Sequence, residues 1–168
     1  MIETKNLTLK KYDEKYIEKA HYNFFSSPIT SKYVLWKPTQ NPSEVKDKIE
    51  YWLYEVKVSV FYMIHDRDDE PIGFVCVDEI EPNVYGNFGI ALGEKYVNKG
   101  YGSEVLTAII DYIKSLGAKE IHYSHFKENI ASQKLALKYN FEFYKEGKRI
   151  RKYDNKEFDE LFYVLKLN

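Results

Sequence analysis

The segment from residue 92 to residue 116 constrains the fold of this chain more than any other part of the sequence. It runs from an alternating stretch ending at Leu92, through a loop with two spaced glycines, Gly100 and Gly102, into a strongly amphipathic helix. A helix that begins on glycines leaves several backbone N–H groups free in its first turn. The helix dipole adds partial positive charge at the same point. The segment therefore predicts a strand–loop–helix unit with an anion site, suited to a phosphate or diphosphate, at the helix start.

Patterns on either side of this unit predict a mixed α/β sheet in a single domain covering residues 1–168. The strand–helix–strand segment over residues 87–126 implies a parallel pair with a right-handed crossover. Hairpin signals before and after it imply antiparallel neighbours. We therefore expect a mostly antiparallel sheet with a central parallel β-α-β pair, flanked by helices. The predicted strands are 7–10, 60–65, 72–77, 87–92, 121–126, 142–150 and 161–167, and the predicted helices begin at Asp13, Pro42, Gly102 and Ile130.

Composition excludes several classes of partner. The 25 Lys and Arg residues nearly balance the 26 Asp and Glu residues, so no basic face for nucleic acid is expected. Cys76 is the only cysteine, which rules out an internal disulfide and favours a buried structural thiol. The N-terminus lacks an apolar signal core, and no apolar run approaches the ~20 residues of a membrane span. We expect a cytoplasmic protein without membrane contact, and a homodimer stays open.

Two short motifs carry the chemical signal, although each is weak alone. The glycine loop lacks the Lys-Ser/Thr ending of a P-loop and the third glycine of a dinucleotide-binding loop, so a tight turn explains it equally well. Asn129 and Ser132 begin the next helix, where an N-cap explains them. Together, however, the motifs lie at the carboxyl ends of two adjacent parallel strands. That crevice is where α/β sheets bind ligands.

At these residues the chain resembles the GNAT superfamily of acetyl-CoA-dependent N-acyltransferases, and it is most similar to the branch of ribosomal-protein N-terminal acetyltransferases. The resemblance extends over nearly the whole chain. It implies acetyl-CoA as the acyl donor and no metal. It also implies that the glycine loop holds the diphosphate and that the preceding strand pairs with the pantetheine arm. The residues that it implies for acetyl-CoA binding are Ile90, Leu92, Val97, Asn98, Gly100, Tyr101, Gly102, Ser103 and Asn129.

Three positions depart from the family pattern. Val97 stands where the family has Arg or Gln, so a side-chain contact with the diphosphate is lost. Ala136 stands where many members carry the tyrosine that protonates the departing thiolate. In the ribosomal-protein branch the serine of an Asn-x-x-Ser pattern has this role, and the resemblance assigns it to Ser132. Asn87 occupies the place of a frequent glutamate and is unable to act as a base.

The base that deprotonates the acceptor amine is therefore not obvious. Asp78, Glu79 and Glu81 follow the preceding strand, and we take Glu79 as the candidate, although a solvated acidic turn explains these carboxylates as well. An α-amine with a pKa of ~7.7–8.0 is roughly 10–20% neutral at pH 7, against about 0.04% for lysine. The predicted function is acetyl transfer to a primary amine, either a protein N-terminal α-amine or a small-molecule amine. The alternative is a catalytically weak or inactive acyl-CoA-binding or interaction module.

Other polar and aromatic residues leave alternatives open. His122 and His125 are expected on opposite faces of one strand, which argues against a metal site. A basic run near the C-terminus fits either the terminal phosphate of the cofactor or a solvated edge strand. Its members are Lys145, Lys148, Arg149, Arg151 and Lys152. Four aromatic residues either line an acceptor groove or cover the sheet. They are Tyr33, Trp36, Tyr51 and Trp52.

Overall fold

A single eight-stranded sheet organises the molecule, for which a computed structural model describes all 168 residues. The strands are β1 (Ile2–Glu3), β2 (Thr8–Lys10), β3 (Val60–His65), β4 (Pro71–Glu81), β5 (Val84–Leu92), β6 (Glu120–Phe126), β7 (Glu142–Arg151) and β8 (Lys156–Lys166). Their spatial order is β1-β2-β3-β4-β5-β6-β8-β7. All neighbours are antiparallel except β5 and β6, which are parallel. The expected mixed sheet with one central parallel pair is therefore confirmed.

Four helices pack on the two faces of the sheet. They are α1 (Ile17–Ala20, extended by a π-helical turn over His21–Phe25), α2 (Pro42–Glu50, extended by a π-helical stretch over Tyr51–Val56), α3 (Tyr101–Ser115) and α4 (Ile130–Lys138). Asp13 caps a short 3₁₀ turn just before α1, and the Asn41 side chain caps α2 by accepting from the Glu44 N–H. None of the helices is long and apolar enough to cross a membrane.

The sheet separates two apolar cores. On one face, α3 buries Val105, Leu106, Ile109, Ile110 and Ile113, the five residues that the helical spacing predicts. On the other face, α1 and α2 pack on β3, β4 and β5 through a smaller cluster. Its buried members are Ala20, Phe24, Phe25, Val45, Ile49, Phe61, Met63, Phe74 and Ala91. Helices therefore cover both faces of the central strands. Both faces need cover because successive side chains point to opposite faces and both sets are apolar.

The main differences from the sequence expectation lie at strand ends. Strand β8 begins at Lys156, five residues before the predicted start at Leu161, because its first residues are polar and hide the alternation. Strand β1 has two residues, too few to produce a pattern. Strand β4 continues to Glu81 through the acidic stretch that was expected to be a turn. In each case the ends of the strand are set by backbone pairing with a neighbouring strand, and the polarity of the side chains does not indicate them.

Strands β5 and β6 separate soon after they meet. Their parallel ladder consists of Val84 with Glu120 and Tyr85 with Ile121, and it stops there. A β-bulge at Asn87 follows on β5, because Cys76 pairs with Gly89 whereas Asp78 pairs with Gly86. Asn87 has a φ of 54°, a left-handed conformation that asparagine tolerates better than most residues. The result is an opening between the carboxyl-terminal parts of the two strands, called here the β5–β6 gap.

Candidate active site

The first turn of α3 presents free backbone donors at the edge of the β5–β6 gap. Gly100 precedes the helix with a φ of 81°, and no side chain caps the helix start. The N–H groups of Tyr101, Gly102 and Ser103 have no hydrogen-bond partner within the chain. A Cβ atom at Gly100 would meet nothing within 4 Å, and one at Gly102 would meet only Leu135 Cδ1 at 3.5 Å. The space above these amides is open, so the loop fits a diphosphate.

The loop before α3 contributes little charge of its own. The Val97 side chain is exposed and apolar, and Asn98 adopts a φ of 61°. A positive charge comes instead from α4, where Lys138 Nζ donates to Ser103 Oγ over 2.9 Å. Tyr139 joins the same contact by donating its hydroxyl to the Ser103 carbonyl over 2.7 Å. Sequence reasoning missed Lys138 because 35 residues separate it from Ser103 and no local pattern connects them.

Strand β5 borders the gap with an unpaired edge. Ile90 and Leu92 are half-buried and pack toward the α3 side of the sheet. Beyond Tyr85 this strand has no β6 partner, so its edge on that side is open up to the Leu92 carbonyl, which accepts from Thr30 Oγ1 over 3.3 Å. An extended chain carrying amide groups, such as a pantetheine arm, is the kind of ligand that completes such an edge.

Helix α4 begins on the opposite side of the gap, at the end of β6. Asn129 caps it by accepting from the Ser132 N–H over 3.2 Å, so the cap explanation of this motif is correct, while the Asn129 amide nitrogen keeps its donors free. The Ser132 side chain is half-buried in the first turn. It lies beside the phenol of Tyr123 on β6. Burial raises the pKa of Tyr123, and the Ser132 hydroxyl offsets part of that effect. Two hydroxyl groups therefore lie together at the start of α4, the half-buried one of Ser132 and the buried one of Tyr123.

The acidic stretch at the end of β4 lies at the other end of β5. The Glu79 carboxylate accepts from the Asn83 N–H over 2.9 Å and thereby closes the β4–β5 turn. Asp78 accepts from the Ser59 N–H over 3.0 Å, on the β3 side. Glu79 and Glu81 are exposed. The structure therefore does not bring Glu79 together with Ser132, and its assignment as the base stays a prediction.

Cys76 lies under Gly89, next to the bulge. Burial, together with the nearby Asp78 carboxylate, raises the pKa of its thiol to about 12. A thiol with this pKa carries almost no thiolate at neutral pH and is a poor nucleophile. Cys76 is thus suited to packing rather than to forming an acyl-enzyme.

The remaining candidate residues are mostly engaged in packing or pairing. Trp36 and Trp52 contact the rings of Phe25 and Phe74, with centroid distances between 5.2 and 6.3 Å, whereas Tyr51 is exposed. In the basic run, Lys148 pairs with Glu157 and Asp159, Arg149 with Glu160, and Arg151 with Asp154. These pairings favour the edge-strand explanation.

The two histidines of β6 have separate partners. His122 Nε2 lies 2.7 Å from Glu120 Oε1, whereas His125 is buried and donates Nδ1–H to the Phe126 carbonyl over 2.8 Å. His125 Nε2 accepts from the Tyr163 hydroxyl over 3.0 Å. No group of three or more His, Cys, Asp or Glu side chains is arranged to hold a metal ion.

The free amides at the start of α3, the open edge of β5 and the hydroxyl groups at the start of α4 lie around one gap. The family pattern of the acetyltransferase (GNAT) domain matches residues 6–142. The chain therefore belongs to the GNAT acetyltransferase family, whose members use acetyl-CoA as the acyl donor.

Comparison with individual proteins agrees with this assignment. The chain is 30% identical over 151 residues to the uncharacterized N-acetyltransferase p20 of Bacillus licheniformis, which covers 86% of this chain and 82% of that protein. A GNAT-family acetyltransferase from Bacillus anthracis has a similar structure, with a TM-score of 0.78, 20% identity and coverage of 98% and 97% of the two chains. So does RimL, a ribosomal L7/L12 alpha-N-protein acetyltransferase in complex with coenzyme A, with a TM-score of 0.79, 19% identity and coverage of 98% and 96%.

Proposed function

We propose that this N-acetyltransferase acts on a weakly basic primary amine, either the α-amine at the amino terminus of a protein or peptide or a small-molecule amine, with acetyl-CoA held at the start of α3. The observation that carries this proposal is the set of three unpartnered amides at Tyr101, Gly102 and Ser103, which open onto the β5–β6 gap. The similarity to an alpha-N-protein acetyltransferase supports an N-terminal amine as the acceptor.

The choice between an α-amine and a lysine side chain rests on proton affinity. Acetyl-CoA supplies a thioester whose carbonyl carbon accepts a neutral amine. The α-amine is roughly 10–20% neutral at pH 7, whereas a lysine amine is about 0.04% neutral. Because Asn87 has no carboxylate and Glu79 lies at the β4–β5 turn, at the other end of β5 from the gap, the more acidic α-amine is the easier acceptor.

Ser132 is the proposed proton donor to the departing sulfur. It lies in the first turn of α4, at the edge of the gap, and the Tyr123 phenol beside it retains its proton because burial raises the pKa of that group. The high pKa of the Cys76 thiol supports direct transfer to the amine over an acyl-enzyme on this cysteine.

Thiol release with a panel of amines tests the proposal. The panel contains trialanine amide, glycinamide as a weakly basic small-molecule amine and Nα-acetyl-lysine amide, each with acetyl-CoA. We expect faster turnover on trialanine amide or glycinamide than on the lysine derivative. Ser132→Ala should lower kcat by about 10²-fold, the usual contribution of a positioned proton donor, without weakening acetyl-CoA binding measured by calorimetry.

Ser115→Ala is the matched control, because this serine lies at the far end of α3 and should leave turnover unchanged. Preferential acetylation of the lysine derivative would contradict the assigned substrate class. Acetyl-CoA binding without thiol release for any amine would instead support the binding-module alternative.

A further inference from the structure

A buried carboxylate lies on β8, the strand beside β6, and has no part in the site described above. Glu160 is 5% exposed. Its Oε2 accepts from the Ser124 hydroxyl over 2.8 Å, and its Oε1 accepts from Arg149 Nε over 3.1 Å. Glutamate is seldom buried without partners, and a carboxylate has about four acceptor positions, of which these contacts use two. Glu160 therefore keeps acceptor capacity for a further donor.

Ser124 places this carboxylate near the gap. The β5–β6 ladder ends at the pair Tyr85 and Ile121, and the bulge at Asn87 follows on β5. Ser124 lies three residues beyond Ile121, on the part of β6 that borders the gap. From β8, Glu160 contacts both neighbouring strands, because Oε2 accepts from Ser124 on β6, the strand that borders the gap, and Oε1 accepts from Arg149 on β7.

The two faces of the gap carry different chemistry. Tyr123 packs in the core beneath α4 and lies beside Ser132. Because side chains alternate along a strand, Ser124 points to the opposite face, and its hydrogen bond places Glu160 there too. One face therefore offers hydroxyl protons and the other a carboxylate. Acyl transfer needs this division, since the departing sulfur must gain a proton while the incoming nitrogen must lose one.

We propose that Glu160 receives the amino group of the acceptor, with Arg149 and Ser124 holding the carboxylate in place. This inference rests on the proposed acetyltransferase function. The nitrogen lone pair forms the new N–C bond at the thioester carbonyl carbon as the C–S bond breaks. The departing sulfur keeps the electron pair of that bond and gains a proton on the Ser132 side. An acceptor that arrives as an ammonium group first gives one proton to the Glu160 carboxylate, which passes it to solvent and so frees the lone pair, and the nitrogen gives its remaining surplus proton to the same carboxylate as the N–C bond forms.

Two other carboxylates near the bulge have worse positions for this role. The Asp78 carboxylate is held by the Ser59 N–H on the β3 side, away from the gap. Glu79 closes the β4–β5 turn. By contrast, the face around Glu160 is enclosed by the α1–α2 loop, because Arg151 on β7 donates to the carbonyls of three residues of that loop.

The charged and titratable groups around Glu160 come from two strands. Arg149 on β7 contacts the carboxylate directly, Lys145 on β7 lies over the Phe162 ring at 4.7 Å, and Arg151 is paired with Asp154. From β6, His125 lies near enough for its pKa to be raised by Glu160, although burial lowers that pKa overall. Glu160 is the buried carboxylate among them, so an ammonium group entering this face has it as its partner.

The test compares Glu160→Gln with carboxylate controls across pH. Turnover is measured for the panel amine on which the wild type is fastest, between pH 6 and 10. We expect Glu160→Gln to lower kcat at pH 7 by about 10²-fold and to recover as pH rises, because the amine then deprotonates without help. Asp159→Asn, on the other face of β8, should keep the wild-type profile. Glu160→Asp, which keeps the charge with a shorter reach, should lie between wild type and Glu160→Gln.

A second readout does not depend on turnover. Calorimetry measures the binding of trialanine amide to enzyme saturated with coenzyme A, and we expect about tenfold weaker binding for Glu160→Gln, as for the loss of one charge-assisted hydrogen bond. Coenzyme A affinity and urea unfolding of the variant should match those of Asp159→Asn.

Two outcomes overturn the inference, and they are distinct. If no amine of the panel causes the wild type to release thiol, both the proposed function and the role of Glu160 are wrong. An active wild type whose Glu160→Gln variant keeps the pH profile and acceptor affinity of Asp159→Asn would leave the proposed function intact and exclude Glu160 as the acceptor partner.

Discussion

Helices α3 and α4 lie on the same face of the sheet and begin at the carboxyl ends of neighbouring parallel strands, yet they are built differently. Helix α3 buries five apolar side chains and starts without a side-chain cap. Helix α4 buries only Ala136 and starts with the Asn129 cap. Packing therefore holds α3 in place, which leaves its first amides free for an anion. Helix α4 packs weakly and contributes polar side chains, Ser132 and Lys138, to the site.

The largest expected effect tests whether stability resides in α3. Ile109 is fully buried, so Ile109→Ala should lower the free energy of unfolding by about 3 kcal/mol through lost burial and the cavity left behind. Leu137 on α4 is 61% exposed, and Leu137→Ala should change the free energy of unfolding by less than about 0.5 kcal/mol. Urea unfolding at constant pH measures the free energy of unfolding of both variants. Equal losses from the two substitutions would remove the contrast between the helices.

A second test separates the binding role of the α3 start from its structural role. Gly102→Glu and Gly102→Gln both replace a helical glycine whose Cβ position is open, so each should raise stability by about 0.5–1 kcal/mol. The glutamate, however, repels a diphosphate, and we expect it to bind acetyl-CoA about tenfold more weakly than the glutamine variant at low salt.

Calorimetry at two salt concentrations measures this difference, which should shrink as salt screens the added charge. Equal acetyl-CoA affinities for the Glu and Gln variants would show that the first turn of α3 does not hold the diphosphate.

The smallest expected effect is on the pH dependence of stability. Burial lowers the pKa of His125 below 6.5, which means that the folded state favours the neutral ring. The stability that depends on this group is therefore complete above pH 6.5 and is lost progressively as pH falls below it. His125→Gln should flatten this loss by under about 1 kcal/mol between pH 7 and 5.

Thermal or urea unfolding of the wild type and of His125→Gln at each pH gives the difference in their free energies of unfolding. Burial also lowers the pKa of His65, but His65 titrates in both proteins, so its contribution cancels in this difference. An unchanged pH slope in His125→Gln would mean that His125 has no differential protonation on folding.

The sequence by itself determined the order and type of the principal elements, because local periodicity is a property of neighbouring residues. The buried face of α3, the parallel pair around it and the glycine loop follow from spacing that needs no tertiary information. The motif Asn129–Ser132 also identified the start of α4 correctly.

Only the tertiary structure decided which side chains share the gap. The bulge at Asn87, the Lys138 contact with Ser103 and the Glu160 carboxylate beside Ser124 join residues of different elements, and no local pattern encodes such contacts. The structure also shows which contact Glu79 makes in the β4–β5 turn, since its carboxylate accepts from the Asn83 N–H. The physical reason is that side-chain chemistry selects which groups can form a site, while strand register and packing fix which of them meet.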